Sequence, residues 1–545
     1  MVIAKKTLKF RVYIDAIIVS MQIENTTMIK NNNELTDNLF ALVKSLTASE
    51  KRQFSLYAGR VAINSESKFI SLFKILCTQN KYDEAAILKA TDISKQQLSN
   101  TKSHLYNQIL TSLRLNPAVR SVPLQIREQL DFAMILYRKG LYQQSLKLLD
   151  KTKALALLYE EKNIGYEILD LEKIIESQYI TRSRANRADL LIEQTNELTH
   201  LNGIASQLSN LTLYLYNIFL KNGYVRTPHE KKEVSDHFFA HLPEYHEKRL
   251  GFREKLWYYQ AYVWYSFIIQ DFVSCYKYAT KWVALFDKTP HLIAVHPVFY
   301  IKGNHYVLES LFYLNRIKQF EAALDNFETI LTNTDIPEDD NILVLSFLYV
   351  YSNKLNLRFM KAEYTGGEEL LDTINKKIDR YRDKVDEHHI MILYYKMACL
   401  YFGNRKYDRC IYFLKKIIDN KTTQLREDLV CFTMILNLAA HYEAGQDYRL
   451  EALIKSTSIF LSKMNHLHEV QKALMQFLSS LSHVSPLEIK NEFRKFHAVL
   501  KPYENHPFER RAFLYLDLLS WLEGHINDEP IADVIARKVI KNKGH

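Results

Sequence analysis

The chain has 545 residues, 47% of them hydrophobic and 25% charged, a balance that excludes disorder for its bulk and leaves ample material for a core. Only 13 Gly and 11 Pro are present, too few for a protein of strands and turns, so helix dominates the expectation. The formal charge of +10 is spread over a large surface and predicts only a weak preference for acidic partners.

The opening MVIAKKTLKFRVYIDAIIVSMQI places basic residues before apolar ones, but Asp15 interrupts the run and no small-residue cleavage site follows. It makes a poor signal peptide, and neither it nor any later stretch offers some 18 uninterrupted apolar residues. Residues 1–34 are expected to be a flexible lead, with Met21 or Met28 as an alternative start and a first cap near Thr36. Residues 35–116 read as a separate helical region: LFALVKSL, EKRQFSLYA capped by Ser49, KFISLFKILCTQ and YDEAAILKA. A longer helix then starts at the N-cap Ser94, buries Leu98, Leu105, Ile109 and Leu113 on one stripe, and ends before Pro117. This region either caps the open end of a helical array or acts as a helix-turn-helix. In the second case Lys95, Gln96, Gln97, Asn100 and Lys102 would reach base edges and phosphates.

Residues 117–545 read as successive helix pairs. Ala118 to Leu250 should hold three to four hairpins, with Ala133 and Ser145 as the small packing positions of the clearest. Arg182, Arg184 and Arg187 in RSRANR are expected on a solvated face, and VRTPHEKKEVSDHFFAHLPEYHEKR as an irregular polar insertion. Leu256 to Phe286 gathers three of the four Trp and nine Tyr or Phe on one helix pair. DIPEDDN around Asp339 reads as a loop and N-cap, not a calcium loop, because the required Gly and the terminal Glu are missing. Ser485-Pro486 opens another helix, RRAFLYLDLLSWLEG runs to Gly524, and PIADVIARKVI closes the chain before a fraying KNKGH tail.

The best-formed pair is Met391 to Asn420. Leu393, Met397, Leu400 and Tyr401 recur at helical spacing, the Gly403-Asn404 break follows, and Tyr407, Cys410, Ile411, Leu414, Ile417 and Ile418 repeat the pattern. With small Ala398 and Cys410 and large Tyr394, Tyr401, Tyr407 and Leu414, this segment resembles the tetratricopeptide repeat, although the turn Gly is displaced and no Pro closes the unit. Similar joints fall at Gly140-Leu-Tyr142, Asn222-Gly-Tyr224, Gln270-Asp-Phe272, Lys318-Gln-Phe320, Lys406-Tyr407 and Gln446-Asp-Tyr448, with weaker ones near Ala185 and Tyr364. Their period of about 40 to 48 residues exceeds the 34 of the standard repeat. The resemblance implies an all-α fold: a right-handed α-solenoid of antiparallel helix hairpins, a tetratricopeptide-repeat-like superhelix with an N-terminal helical cap. It also implies a non-enzymatic scaffold that binds a peptide or protein segment in its concave face. In that register Tyr216, Trp257, Trp264 and Phe312 line the groove, against the alternative that they are core.

No reactive motif competes with this reading. No two glycines have the spacing of a phosphate-binding loop, and HEKKE at His229, HEKRL at His246 and HEVQK at His468 lack the second His of a zinc protease. His237 and His241, with Asp236, Glu244 and His246 nearby, form the closest approach to a metal site, and Phe238 and Phe239 argue for packing there. Glu160-Glu161, Glu368-Glu369 and Asp339-Asp340 are adjacent pairs that a helix sends apart. Cys77, Cys275, Cys399, Cys410 and Cys431 stand singly, which fits small packing positions in a reducing compartment. The expectation is therefore a cytoplasmic protein without cofactor, metal, small-molecule substrate or membrane contact. The alternative is a transcriptional regulator with a helix-turn-helix-like DNA-binding region and a repeat-built sensor.

Overall fold

Short polar side chains ahead of apolar runs decide where the helices begin. The computed structural model describes residues 37–61, 68–116, 121–178, 186–244, 250–333, 336–337, 339–420, 427–462, 469–481, 488–504, 506 and 517–542. The fold is all-α, with no strand among the described residues. None of the described helices is long and apolar enough to cross a membrane. The chain divides into two compact units, residues 1–128 and 129–545.

The first unit holds α1 (Asn38–Ser45), α2 (Ala48–Val61), α3 (Lys68–Thr78), α4 (Glu84–Ala90) and α5 (Lys95–Leu115), with α6 (Val122–Arg138) carrying the division. Val43, Phe54, Leu72, Leu76, Ile87, Leu105 and Ile109 form its core. Two expected caps move by one or two residues. Asp37, not Thr36, accepts the Phe40 N–H at 3.0 Å, and Thr47, not Ser49, forms a reciprocal box with Glu50. Ser94 does cap α5, and Gln97 reaches back to its N–H. On α5 Leu98, Leu105 and Ile109 are buried as expected, whereas Leu113 is only half-buried and Ser112 takes the inner place.

The second unit continues with α7 (Tyr142–Leu158), α8 (Lys162–Gln178), α9 (Arg187–Asn222) and α10 (Pro228–Ala240). Then follow α11 (Phe252–Ile268), α12 (Phe272–Lys288), α13 (Pro297–Tyr313), α14 (Ile317–Asn333), α15 (Asp340–Lys361) and α16 (Glu368–Tyr381). The last are α17 (Glu387–Gly403), α18 (Tyr407–Ile418), α19 (Glu427–Glu443), α20 (Asp447–Ser462), α21 (Glu469–Leu481), α22 (Ile489–Leu500), α23 (Leu518–Asn527) and α24 (Ile531–Asn542). The expected insertion after Tyr224 is largely the helix α10, because Thr227 accepts the Glu230 N–H and Pro228 sits at the first helical position. The weak joint expected near Ala185 falls between α8 and the 36-residue α9; Ala185 itself, with Arg182, Arg184, Ser485-Pro486 and residues 1–34, lies outside the described residues.

Six connections share one backbone form. Gly140, Glu160, Gln270, Asn315, Arg405 and Gly445 have φ between 52 and 74°, and in each case the next helix starts two residues later. Each of these N–H groups bonds the carbonyl three residues back, and the following N–H bonds the carbonyl five back, at 2.8–3.2 Å. This left-handed cap satisfies carbonyls that a helix end leaves open. The joint expected at Lys318-Gln-Phe320 is displaced to Asn315, so that Phe320 lies inside the first turn of α14 and is fully buried. After α15 the same cap forms at Ala362, and the steps from Gln270 to Asn315, Ala362, Arg405 and Gly445 are 45, 47, 43 and 40 residues.

Helix packing follows this rhythm. From α13 to α19 the first helix of a pair meets its own partner and also the first helix of the next pair: α13 packs on α14 and α15, α15 on α16 and α17, and α17 on α18 and α19. In consequence α17 is buried on nearly every side from Ile390 to Gly403 rather than along one stripe, while the outer α18 remains amphipathic. Ala398 and Cys410 are fully buried at the α17–α18 contact, and Ser145 donates to the Ala133 carbonyl at 2.8 Å where α6 meets α7. The last helix, α24, breaks the sequential order by packing on α15.

Candidate interaction site

Density of aromatic residues marks α9, α11 and α13. Trp264 is buried, with Tyr216 at 5.2 Å, Phe219 at 5.4 Å and Tyr306 at 5.7 Å between ring centroids. Tyr216 covers it from the surface and is 39% exposed. Trp257 is half-buried and meets Phe299 edge-on at 5.4 Å, and Phe312 lies buried in the core that begins at α13. Of the four residues expected in a groove, the structure therefore brings Tyr216 and Trp264 together. Accessible ring surface remains on Tyr216, which meets the buried indole from α9, and on Trp257, two turns before that indole on α11.

A second feature carries no aromatic signal in the sequence. Along the inner helices α13, α15 and α17 a seam of polar side chains is buried among apolar ones. His305 stacks on Tyr349 at 4.1 Å, and its Nδ1 accepts a hydrogen bond from Asn353 Nδ2 at 3.2 Å. Asn356 Nδ2 donates to Glu309 Oε1 at 3.1 Å, and Lys396 Nζ donates to Ser352 Oγ at 2.7 Å. Burial, reinforced by Lys396, His389 and Lys302 and opposed by Glu309, pushes the His305 imidazole down to about 4, so the ring is neutral at pH 7. Burial likewise lowers the Lys396 ammonium. Polar groups of this kind fix the register of packed helices. Their signal was available in ILVLSFLYVYSNKLNLRF, where Ser352, Asn353 and Asn356 interrupt an otherwise apolar run.

The sequence's other chemical candidates have structural partners. The His237 and His241 rings stack at 4.0 Å, and His241 Nδ1 faces the His237 carbonyl at 2.8 Å, so the two imidazoles do not converge on a common point; His246 lies outside the described residues. No cluster of metal-ligating side chains occurs among the described residues. Glu160 holds Lys162 at 2.8 Å, Glu368 holds Lys406 at 2.6 Å and Asp340 holds Lys384 at 2.6 Å. Arg187, expected on a solvated face, is instead tied to the fully buried Glu172 at 3.0 Å. Four cysteines are buried, Cys77 is half-buried and all five are free thiols, with burial pushing Cys275 up to about 12.

In the first unit, Lys102 bonds Asp37 at 2.5 Å and lies 4.4 Å over the Tyr82 ring, and Gln97 accepts from Lys68 at 2.7 Å. Lys95, Gln96 and Asn100 remain exposed at the head of α5 after a four-residue turn from α4.

No family model, curated protein or solved structure matches this chain. The functional reading accordingly rests on the geometry above.

Proposed function

We propose that the chain is a non-enzymatic scaffold, a tetratricopeptide-repeat-like solenoid of right-handed sense that binds a peptide or protein segment in its concave face. The observation that carries this reading is the recurrence of one left-handed cap at steps of 40 to 47 residues from Gln270 to Gly445, with first helices packed on first helices. A hairpin of this kind cannot bury its apolar face alone, and stacking leaves an extended inner surface whose natural use is binding. The polar seam supports scaffold over enzyme, because Glu309, Asn353, Asn356 and Lys396 are closed off within the core. Partner contact is assigned to Tyr216 and Trp257, whose rings keep accessible surface, with Trp264 packed against Tyr216 and Phe299 against Trp257.

The test is a pull-down from native cells followed by binding measurements on the recovered partner. A Tyr216→Ala/Trp257→Ala double variant that stays folded should bind at least about tenfold more weakly, as expected when aromatic anchors are removed. Unchanged affinity would overturn the groove assignment. The regulator alternative draws on the short α4–α5 turn and the exposed head of α5, and salt-dependent duplex binding abolished by Lys95→Glu would favour it.

A further inference from the structure

Helix α11 carries a second aromatic stripe, turned away from Trp264. Lys255, Tyr258, Tyr262 and Tyr265 follow one another at helical spacing and are all half-buried. Tyr262 stacks on Tyr278 of α12 at 4.3 Å, Tyr258 lies 4.7 Å from Tyr262, and Tyr265 stacks on Phe238 of α10 at 4.2 Å. The exposed Lys277 and Lys281 sit over Tyr278 at 5.5 and 5.7 Å, and Lys281 also reaches Tyr259 at 5.9 Å. Between Glu254 and Asp287 the only acid is Asp271, and its carboxylate caps α12 by accepting the Ser274 N–H at 3.0 Å. Lys255, Lys277 and Lys281 make no ion pair among the described residues. Three lysines thus stand beside tyrosine rings without an ion-pair partner among the described residues.

The ring arrangement decides which anion fits. The faces of Tyr262, Tyr278 and Tyr265 are occupied by one another, by Phe238 and by lysine heads, so they are closed to the base stacking that single-stranded nucleic acid requires. The exposed ammonium groups of Lys277 and Lys281 beside these rings suit carboxylates. We propose that Lys255, Tyr258, Tyr262, Lys277, Tyr278 and Lys281 form a docking surface for an acidic segment of a protein partner. The inference deepens the scaffold reading and rests on it, since it names the charge of what the scaffold holds.

Fluorescence anisotropy of the full chain with a fluorescein-labelled oligoglutamate tests it, with an oligothymidylate of equal charge as the competing probe. Lys277→Glu/Lys281→Glu should weaken oligoglutamate binding about tenfold or more, as reversal of contacting charges does. Lys81→Glu/Lys89→Glu, the same charge change on exposed lysines of the first unit, should leave it nearly unaltered. Equal losses in the two variants would reduce the effect to net charge and overturn the proposal, as would tighter binding of oligothymidylate. A chain that holds its partner through Tyr216 and Trp257 while ignoring oligoglutamate overturns this surface and leaves the scaffold standing. Specific oligoglutamate binding alongside a partner indifferent to Tyr216 and Trp257 supports the surface and removes the groove.

Discussion

Gly403 and Arg405 exchange the roles that their residue types suggest. Gly403 is helical and buried, and a Cβ there would run into the Tyr364 ring, whereas Arg405 holds the left-handed φ of 57° that glycine adopts without cost. Gly403→Ala should therefore cost about 2 kcal/mol through overpacking, and Arg405→Gly should gain about 1 kcal/mol by relieving the left-handed backbone. Urea midpoints of the two variants check the opposite signs. His305 makes a second prediction at this scale. The fold lowers its pKa from 6.5 to about 4, so the stability it contributes is complete above pH 6.5 and is lost as pH falls toward 4, where the unfolded chain takes up a proton that the fold refuses. Between pH 7.5 and 5 this slope amounts to about 2 kcal/mol. His305→Asn should flatten it in urea titrations at the two pH values, and an unchanged slope would place the titration elsewhere.

At the scale of elements, helix identity and most helix positions were legible in the sequence, since caps and 3.6-residue periodicity are local properties. Asp339, Ser94 and the Gly140 joint stand where the chain pattern put them. The Glu160 joint was not legible: a charged residue in left-handed conformation gives no turn signal, and its neighbour Glu161 made the pair look like a solvated face. Gln270 occupies the same position at the price of strain, and its side chain offsets this by donating to the Val225 carbonyl at 3.0 Å, a contact 45 residues away that no local pattern encodes. The same limit applies to the candidate site. Tyr216 and Trp264 were found because large rings are conspicuous, but their unequal burial depends on which neighbour covers which face. The tyrosine and lysine stripe of α11 and α12 was visible as composition and not as a surface.

Over the second unit as a whole, neighbour-to-neighbour packing would make stability a sum of local terms. The C-terminal helices alter that. Trp521 Nε1 and His525 Nε2 of α23 both reach Glu443 Oε1, at 2.6 and 2.5 Å, Tyr407 OH donates to Glu443 Oε2 at 3.2 Å, and α24 seats on α15. Burial raises the Glu443 carboxyl, but His525, Trp521 and Tyr407 outweigh it and hold the group below its ordinary range. Deleting residues 517–545 should accelerate amide hydrogen exchange in α15 and α19 while sparing α11 and α12; equal protection in all four helices would show that the closure carries no energy. The contact between α24 and α15 also sets an order of events during synthesis. Helix α15 is made about 180 residues before α24 is complete, so it waits through nearly half of the second unit's translation with part of its surface uncovered. A chain that terminates early displays that surface permanently, which gives the cell's quality control a means of telling a finished copy from a truncated one.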